Sequence, residues 1–183
     1  MKLSSIVLCS LLLSAFSFAE TIKDSQGNEY TTVKIGDQVW MAQNLNVKTD
    51  RSYCYDNDPA NCEKYGRLYT WESAKKACPA GWRLPSVAEF KGLLDIAGGE
   101  IRSLNLRARS WENGSDKFGF SALPAGIYYS NLKEFSHLGD YTYFWSSTEY
   151  NSSRAYRLGI YGYNARVLDL GKFNGYSVRC LQD

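Results

Sequence analysis

The chain has one histidine, His137, in the run Ser136-His137-Leu138-Gly139-Asp140. Nucleophilic or acid–base catalysis needs a base beside a hydroxyl, thiol or water. A lone histidine in a loop-like stretch reads as a solvated side chain instead. Zinc needs three or four nitrogen or sulfur ligands, and the cysteines are better used in disulfides. Glycoside hydrolysis needs two carboxylates straddling one bond. Glu149 and Asp169 are the pair to name, but linear spacing does not bring them together. Asp56, Asn57 and Asp58, with Glu63, carry the oxygens a calcium ion takes. Beside Pro59 they read first as a polar turn, so no cofactor is expected; Asp56 and Asp58 are the weak calcium candidates.

Recognition chemistry is better supplied. Of fourteen tyrosines, Tyr128, Tyr129, Tyr141, Tyr143, Tyr150, Tyr156, Tyr161 and Tyr163 fall in the C-terminal half. On an extended segment, residues two apart share a face. Tyr141/Tyr143 and Tyr161/Tyr163 are therefore expected to project as pairs. Half of the rings are expected to bury and half to form an exposed face, with Asn131, Asn151, Asn164, Arg154 and Arg166 adding hydrogen bonds. Flat rings with a polar rim suit the C–H faces of a polysaccharide or the surface of a protein, and exposed aromatic area usually marks an interaction site. The expected activity is a non-catalytic binding module for carbohydrate or cell-surface ligands. The alternative is a structural or protein-interaction component of a surface assembly.

Composition bounds the partners and the compartment. A formal charge of +2 over 183 residues excludes nucleic acid and anionic membrane as main partners, because both need a concentrated basic face. Lys2, the apolar run from Ile6 through Phe16 and the small residues around Ala19 read as a secretory leader, cleaved after Ala19. Cys9 lies inside the apolar run, not at its end, which argues against a lipid anchor. The run is too short for a membrane span, and no later segment is apolar enough for one. The product is expected to be secreted, periplasmic or held at the cell surface, as one domain over residues 20–183. Cys54, Cys62, Cys78 and Cys180 remain, an even number in an exported chain. Three connectivities are possible. Cys54–Cys62 with Cys78–Cys180 is preferred: the first closes a polar loop and the second ties the end of the chain to its middle.

These residues need positioning elements. Residues 20–28 read as a polar lead-in with a turn at 24–28. Residues 30–35 and 38–41 read as strands about Gly36-Asp37, and 54–62 as a turn-like loop. A helix is expected over 69–77, stopped by Pro79. Ser86 with Glu89 is a capping-box pattern opening a second helix, whose stripe is Val87, Phe90, Leu93, Leu94 and Ala97 and whose end is Gly98-Gly99. Residues 101–108 show no clear period. Residues 118–124, 126–129 and 141–147 read as strand pieces. Residues 154–161, 165–170 and 176–181 read as a three-strand meander, turning at 162–164 and 171–175. Trp40, Trp71, Trp82 and Trp145 are expected in the core.

Several runs together carry a family signature: Asp24 to Tyr30 as Asp-x-x-Gly-Asn-x-Tyr; Val39-Trp40-Met41-Ala42-Gln43-Asn44-Leu45; Gly66-Arg67-Leu68-Tyr69-Thr70-Trp71; Cys78-Pro79-Ala80-Gly81-Trp82-Arg83-Leu84-Pro85; Leu123-Pro124-Ala125-Gly126; Phe144-Trp145-Ser146-Ser147-Thr148-Glu149; and Tyr176-Ser177-Val178-Arg179-Cys180. In this order they resemble the Fibrobacter succinogenes major paralogous domain. The resemblance implies a bacterial, exported or surface-associated protein. It also implies an α+β domain with a C-type lectin-like layout: two helices on short antiparallel sheets, a long loop region, and chain ends held close, which Cys78–Cys180 fits. The Glu-Pro-Asn, Gln-Pro-Asp and Trp-Asn-Asp motifs of calcium-dependent lectins are missing, so calcium-dependent sugar binding is not carried over. A formylglycine-type oxidase, which shares the layout, would need free cysteines that the disulfides consume.

Overall fold

The computed structural model describes residues 20–183, and the expected leader at 1–19 lies outside the described residues. The polar lead-in is a strand. Thr21–Lys23 (β1) pairs antiparallel with Glu29–Ile35 (β2), Ile22 facing Tyr30. Asp24 makes the turn between them. Its carboxylate accepts from the backbone N–H of Gln26 at 2.8 Å and of Asn28 at 3.1 Å, an Asx turn that a polar run conceals at the level of sequence. Gln38–Met41 (β3) follows through the expected Gly36-Asp37 turn.

The cysteine loop is more ordered than a turn. Ser52–Tyr53 (β4) and a 3-10 turn at Tyr55–Asn57 lead into a helix, Pro59–Tyr65 (α1). Pro59 starts this helix, because its missing N–H has no intrahelical partner at that position anyway. The Asp58 side chain caps it from the Ala60 N–H at 3.0 Å. The helix expected over 69–77 is shorter, Trp71–Ala74 (α2). Leu68–Tyr69 (β5) is drawn into pairing with β4, and the i→i−3 bonds Lys76 N to Ser73 O and Ala77 N to Ala74 O close the chain before Pro79.

Trp82–Arg83 (β6) precedes Val87–Ala97 (α3), which has the capping box of Ser86 and Glu89 and ends at Gly98 with φ 97°. Residues 118–124 form no strand beyond a bridge of Ala122 to Arg107. Asp116 takes the Ser121 N–H and hydroxyl and bends the segment back on itself. Ala125–Tyr129 (β7) and Glu134–Leu138 (β8) form a hairpin, the second strand having no alternation to announce it. Tyr141–Glu149 (β9), Arg154–Tyr161 (β10) and Asn164–Gly171 (β11) form an antiparallel sheet.

The expected meander is corrected at its third strand. Residues 176–181 leave β11, and Leu181–Gln182 (β12) inserts between β3 and β6 in a five-stranded sheet of order β1-β2-β3-β12-β6. On the way the chain bridges Tyr128 from Gly175, Tyr69 from Tyr176 and Phe144 from Ser177, and it accepts Leu45 N–H on Val178 O. Residues 175–181 are buried throughout. Tyr176, Val178 and Cys180 alternate with Ser177 and Arg179, and because both polar side chains find buried partners the segment lies inside, not at an open edge.

Two cores result. One gathers Trp145, Tyr176, Tyr69, Trp71 and Met41. The other lies between α3 and the face of β9–β11 that carries Phe144, Leu158 and Ile160. Trp40, Trp71 and Trp145 are buried, and Trp82 is half-buried. Both preferred disulfides are present, Cys54–Cys62 and Cys78–Cys180. The fold is α+β, mostly β, with few helices on curled antiparallel sheets. Among the described residues no helix is long and apolar enough to cross a membrane.

Candidate functional site

Strand register builds the site. Tyr143 faces Gly159 and Tyr141 faces Tyr161 across β9 and β10; Arg166 faces Gly159 and Asn164 faces Tyr161 across β10 and β11. Directly opposed residues share a face. One side of this sheet therefore carries Tyr141, Tyr143, Arg157, Gly159, Tyr161, Asn164 and Arg166. The other side meets α3. An irregularity in the β9–β10 pairing between Ala155 and Arg157 increases local twist, as bulges do.

The rings are in contact. Tyr141 lies 5.6 Å from Tyr161 and 6.3 Å from Tyr143, and the His137 ring stacks on Tyr141 at 4.5 Å. Tyr129 meets His137 edge-on at 6.5 Å. Tyr176 closes the cluster from below, 5.2 Å from Tyr143. Tyr129, His137, Tyr141 and Tyr161 are partly exposed. Burial pushes the Tyr143 hydroxyl above its ordinary range, against the opposing pull of the Arg157 charge. Burial pushes Tyr176 further in the same direction.

Arg157 lies among these rings. Its guanidinium sits 4.0 Å over Tyr143 and 5.6 Å from Tyr176. The residue is 7% exposed, and its Nε and Nη1 are buried without a hydrogen-bond partner. Gly159 makes the space: a Cβ there would lie 2.5 Å from Arg157 Nη1 and 2.9 Å from the Tyr143 ring. Arg179 is the contrast. It is fully buried between Phe120 and Phe144, but donates to Asn44 Oδ1 at 2.6 Å and to the carbonyls of Met41 and Phe120. Desolvation pushes its pKa down to about 9.

The remaining candidates are dispersed. Tyr128 points to the opposite cluster, 4.3 Å from Tyr53 and 4.9 Å from Phe135, because it alternates with Tyr129 along β7. Tyr161 and Tyr163 do not share a face. Gly162 turns the hairpin between them with φ 50°, and Tyr163 is exposed in that turn. Tyr150 packs on Tyr156, away from the cluster, and the Asn151 side chain holds the turn to Arg154. Of the eight tyrosines named in the C-terminal half only Tyr150 and Tyr163 are exposed, Tyr143 is buried and the other five are partly buried, so the even division into buried and exposed rings is corrected. Glu149 pairs with Lys172, and Asp169 with Arg154 at 2.7 Å. Asp56 sits at φ 53° in the 3-10 turn and Asp58 is occupied as a cap. Among the described residues no three His, Cys, Asp or Glu side chains gather as a metal would require.

Arg157 is the member sequence reading missed, and His137, expected as a solvated loop side chain, is corrected to a partly buried ring in β8 stacked on Tyr141. For Arg157 a signal existed. Ala155, Arg157, Gly159 and Tyr161 alternate along one strand, setting a cation among small and aromatic residues on an inward face. His137 carried none, since β8 itself was not legible.

The match found by comparison is to the family model of the Fibrobacter succinogenes major domain, over residues 33–182. β1 and the run Asp24 to Tyr30 lie wholly ahead of that match. No curated protein and no solved structure matches the chain. The model covers well over half of the sequence, and the chain belongs to this family.

Proposed function

We propose that this member of the Fibrobacter succinogenes major domain family is an exported, non-catalytic binding module. It recognises carbohydrate or cell-surface ligands through the aromatic cluster on β9 and β10. The observation that carries the reading is the convergence of Tyr129 on β7 with Tyr141 and Tyr161 on β9 and β10, all three partly exposed, around His137 and the buried Tyr143 and Arg157. Rings held by packing on both sides bind at low entropic cost. The two disulfides support an oxidising destination. A C-type lectin-like layout is supported by the β2–β3 hairpin at the start, the helices before the long irregular stretch, and a last strand lying between β3 and β6.

A glycan array carrying plant and bacterial polysaccharides tests this. Tyr141→Ala and Tyr161→Ala are expected to weaken any captured glycan by about tenfold each, as loss of a stacking ring does. Tyr163→Ala, outside the cluster, is expected to leave it unchanged. No glycan captured, together with a stable protein complex in pull-down, replaces this reading with the second one: a component of a surface assembly. That alternative draws on Leu168 and Phe173, both exposed, on and just beyond the edge strand β11.

A further inference from the structure

We infer that the cluster around Arg157 is an anion-recognising subsite, and that the saccharide it takes is acidic, carrying a carboxylate or a sulfate. The inference rests on the binding-module reading and specifies its ligand class.

Three arginines are buried among the described residues: Arg107, Arg157 and Arg179. Arg179 donates to four backbone or side-chain acceptors. Arg107 stacks on Trp111 and donates to Gly162 O and Glu112 O. Arg157 alone among them has two guanidinium nitrogens buried and neither of them partnered. A desolvated cation with unmet donors is expensive in a folded protein unless something neutralises it. Among the described residues no carboxylate forms an ion pair with it. Glu100 pairs instead with the neighbouring Arg166, at 3.4 Å. The guanidinium also presents the planar, multi-donor fork that suits carboxylate and sulfate oxygens.

A second cation stands beside the first. Arg166 faces Gly159, so it shares the sheet face of Arg157 and sits one diagonal step away. The Arg157 head and the Tyr143 ring lie directly over Gly159, where a Cβ would stand 2.5 Å and 2.9 Å from them, so the backbone of β10 and not a side chain lies under the guanidinium. The Arg166–Glu100 pair is about half exposed on both partners. Such pairs hold weakly, so Arg166 is free to turn toward a ligand. The flanking Tyr141 and Tyr161 rings supply the platform for the sugar ring that carries the acid.

Calorimetric titration of the folded protein tests this with three probes of equal length: oligogalacturonate, a sulfated galactan oligomer and a neutral cello-oligosaccharide. At least one acidic probe is expected to bind about tenfold or more tightly than the neutral one, and which one binds separates carboxylate from sulfate. Arg157→Met is expected to abolish that preference while melting at the same or a higher temperature, because it removes an unmet buried charge. Arg166→Ala, an exposed change, is expected to weaken the acidic probe several-fold without altering the melt. Equal binding of acidic and neutral probes overturns the inference and leaves the binding-module reading standing. Acidic binding unchanged in both variants overturns it too. Binding of none of the three probes nor of any arrayed glycan overturns both.

Discussion

Two buried arginines one core apart behave oppositely, and the difference is their hydrogen bonds, not their charge. Arg179 donates to Asn44 Oδ1 and to the carbonyls of Met41, Phe120 and Ser121, with aromatic faces on either side. Replacing it by Met keeps the volume but strands those acceptors. Arg179→Met is expected to lower stability by about 3 kcal/mol in denaturant unfolding. Arg157→Met, stranding nothing, is expected to hold or raise it. Glu89 gives a pH signature. Its two oxygens accept from Arg83 at 2.7 and 3.0 Å and from the Ser86 N–H at 2.6 Å. Arg83 holds its carboxyl below the ordinary range; burial, the next largest effect, opposes this, and the Ser86 contacts add to the lowering. As pH falls below about 4.3 the unfolded chain takes up the proton before the folded one does. Stability contributed by Glu89 is therefore present at neutral pH and is lost as pH falls through the folded value. Glu89→Gln is expected to flatten the acid limb of the stability–pH curve.

At the scale of elements, α3 is the one whose ends and face were both readable. Ser86 accepts the Glu89 N–H, Glu89 returns to the Ser86 N–H, and Gly98 closes the helix in the left-handed region. Phe90, Leu93, Leu94 and Ala97 are buried as their spacing predicts, whereas Val87 is only half-buried. Ser86→Ala is expected to cost about 1 kcal/mol in urea unfolding. Hairpins constrain the site more tightly. At Gly126 a Cβ would meet Ser136 O at 2.6 Å and the Tyr55 ring at 2.7 Å, and its φ is 71°. Gly126→Ala would push β7 from β8 and carry Tyr129 away from His137.

For the whole molecule, the disulfides differ in reach. Cys78–Cys180 spans 102 residues and Cys54–Cys62 spans 8. In the chain-entropy picture the first contributes about 4.7 kcal/mol and the second about 2.5 kcal/mol by restricting the unfolded chain. The double change Cys78→Ala/Cys180→Ala is expected to lower the melting temperature more than Cys54→Ala/Cys62→Ala. The long bridge also holds the segment on which every sheet leans, since residues 175–181 bond to β3, β5, β7 and β9 and then enter the five-stranded sheet.

Local chemistry explains what was legible. The capping box, Gly36-Asp37, the two disulfide partners and the strands β9 to β11 all rest on residues within a few positions or on cysteine count, and they stood in the sequence. β1, α1 and β8 did not, because an Asx turn, a proline at a first helical position and a strand without alternation look alike as polar chain. Neither did the fate of residues 176–181, whose alternation of Tyr176, Val178 and Cys180 with Ser177 and Arg179 reads as a half-buried strand and names neither the burial of the polar pair nor the partner. The site divides the same way. The tyrosines and their period were plain to read. That Tyr128 and Tyr129 serve different clusters, that Gly162 parts Tyr161 from Tyr163, and that Arg157 enters the rings with its donors unmet were decided by strand register and by packing between distant segments, which sequence spacing does not encode.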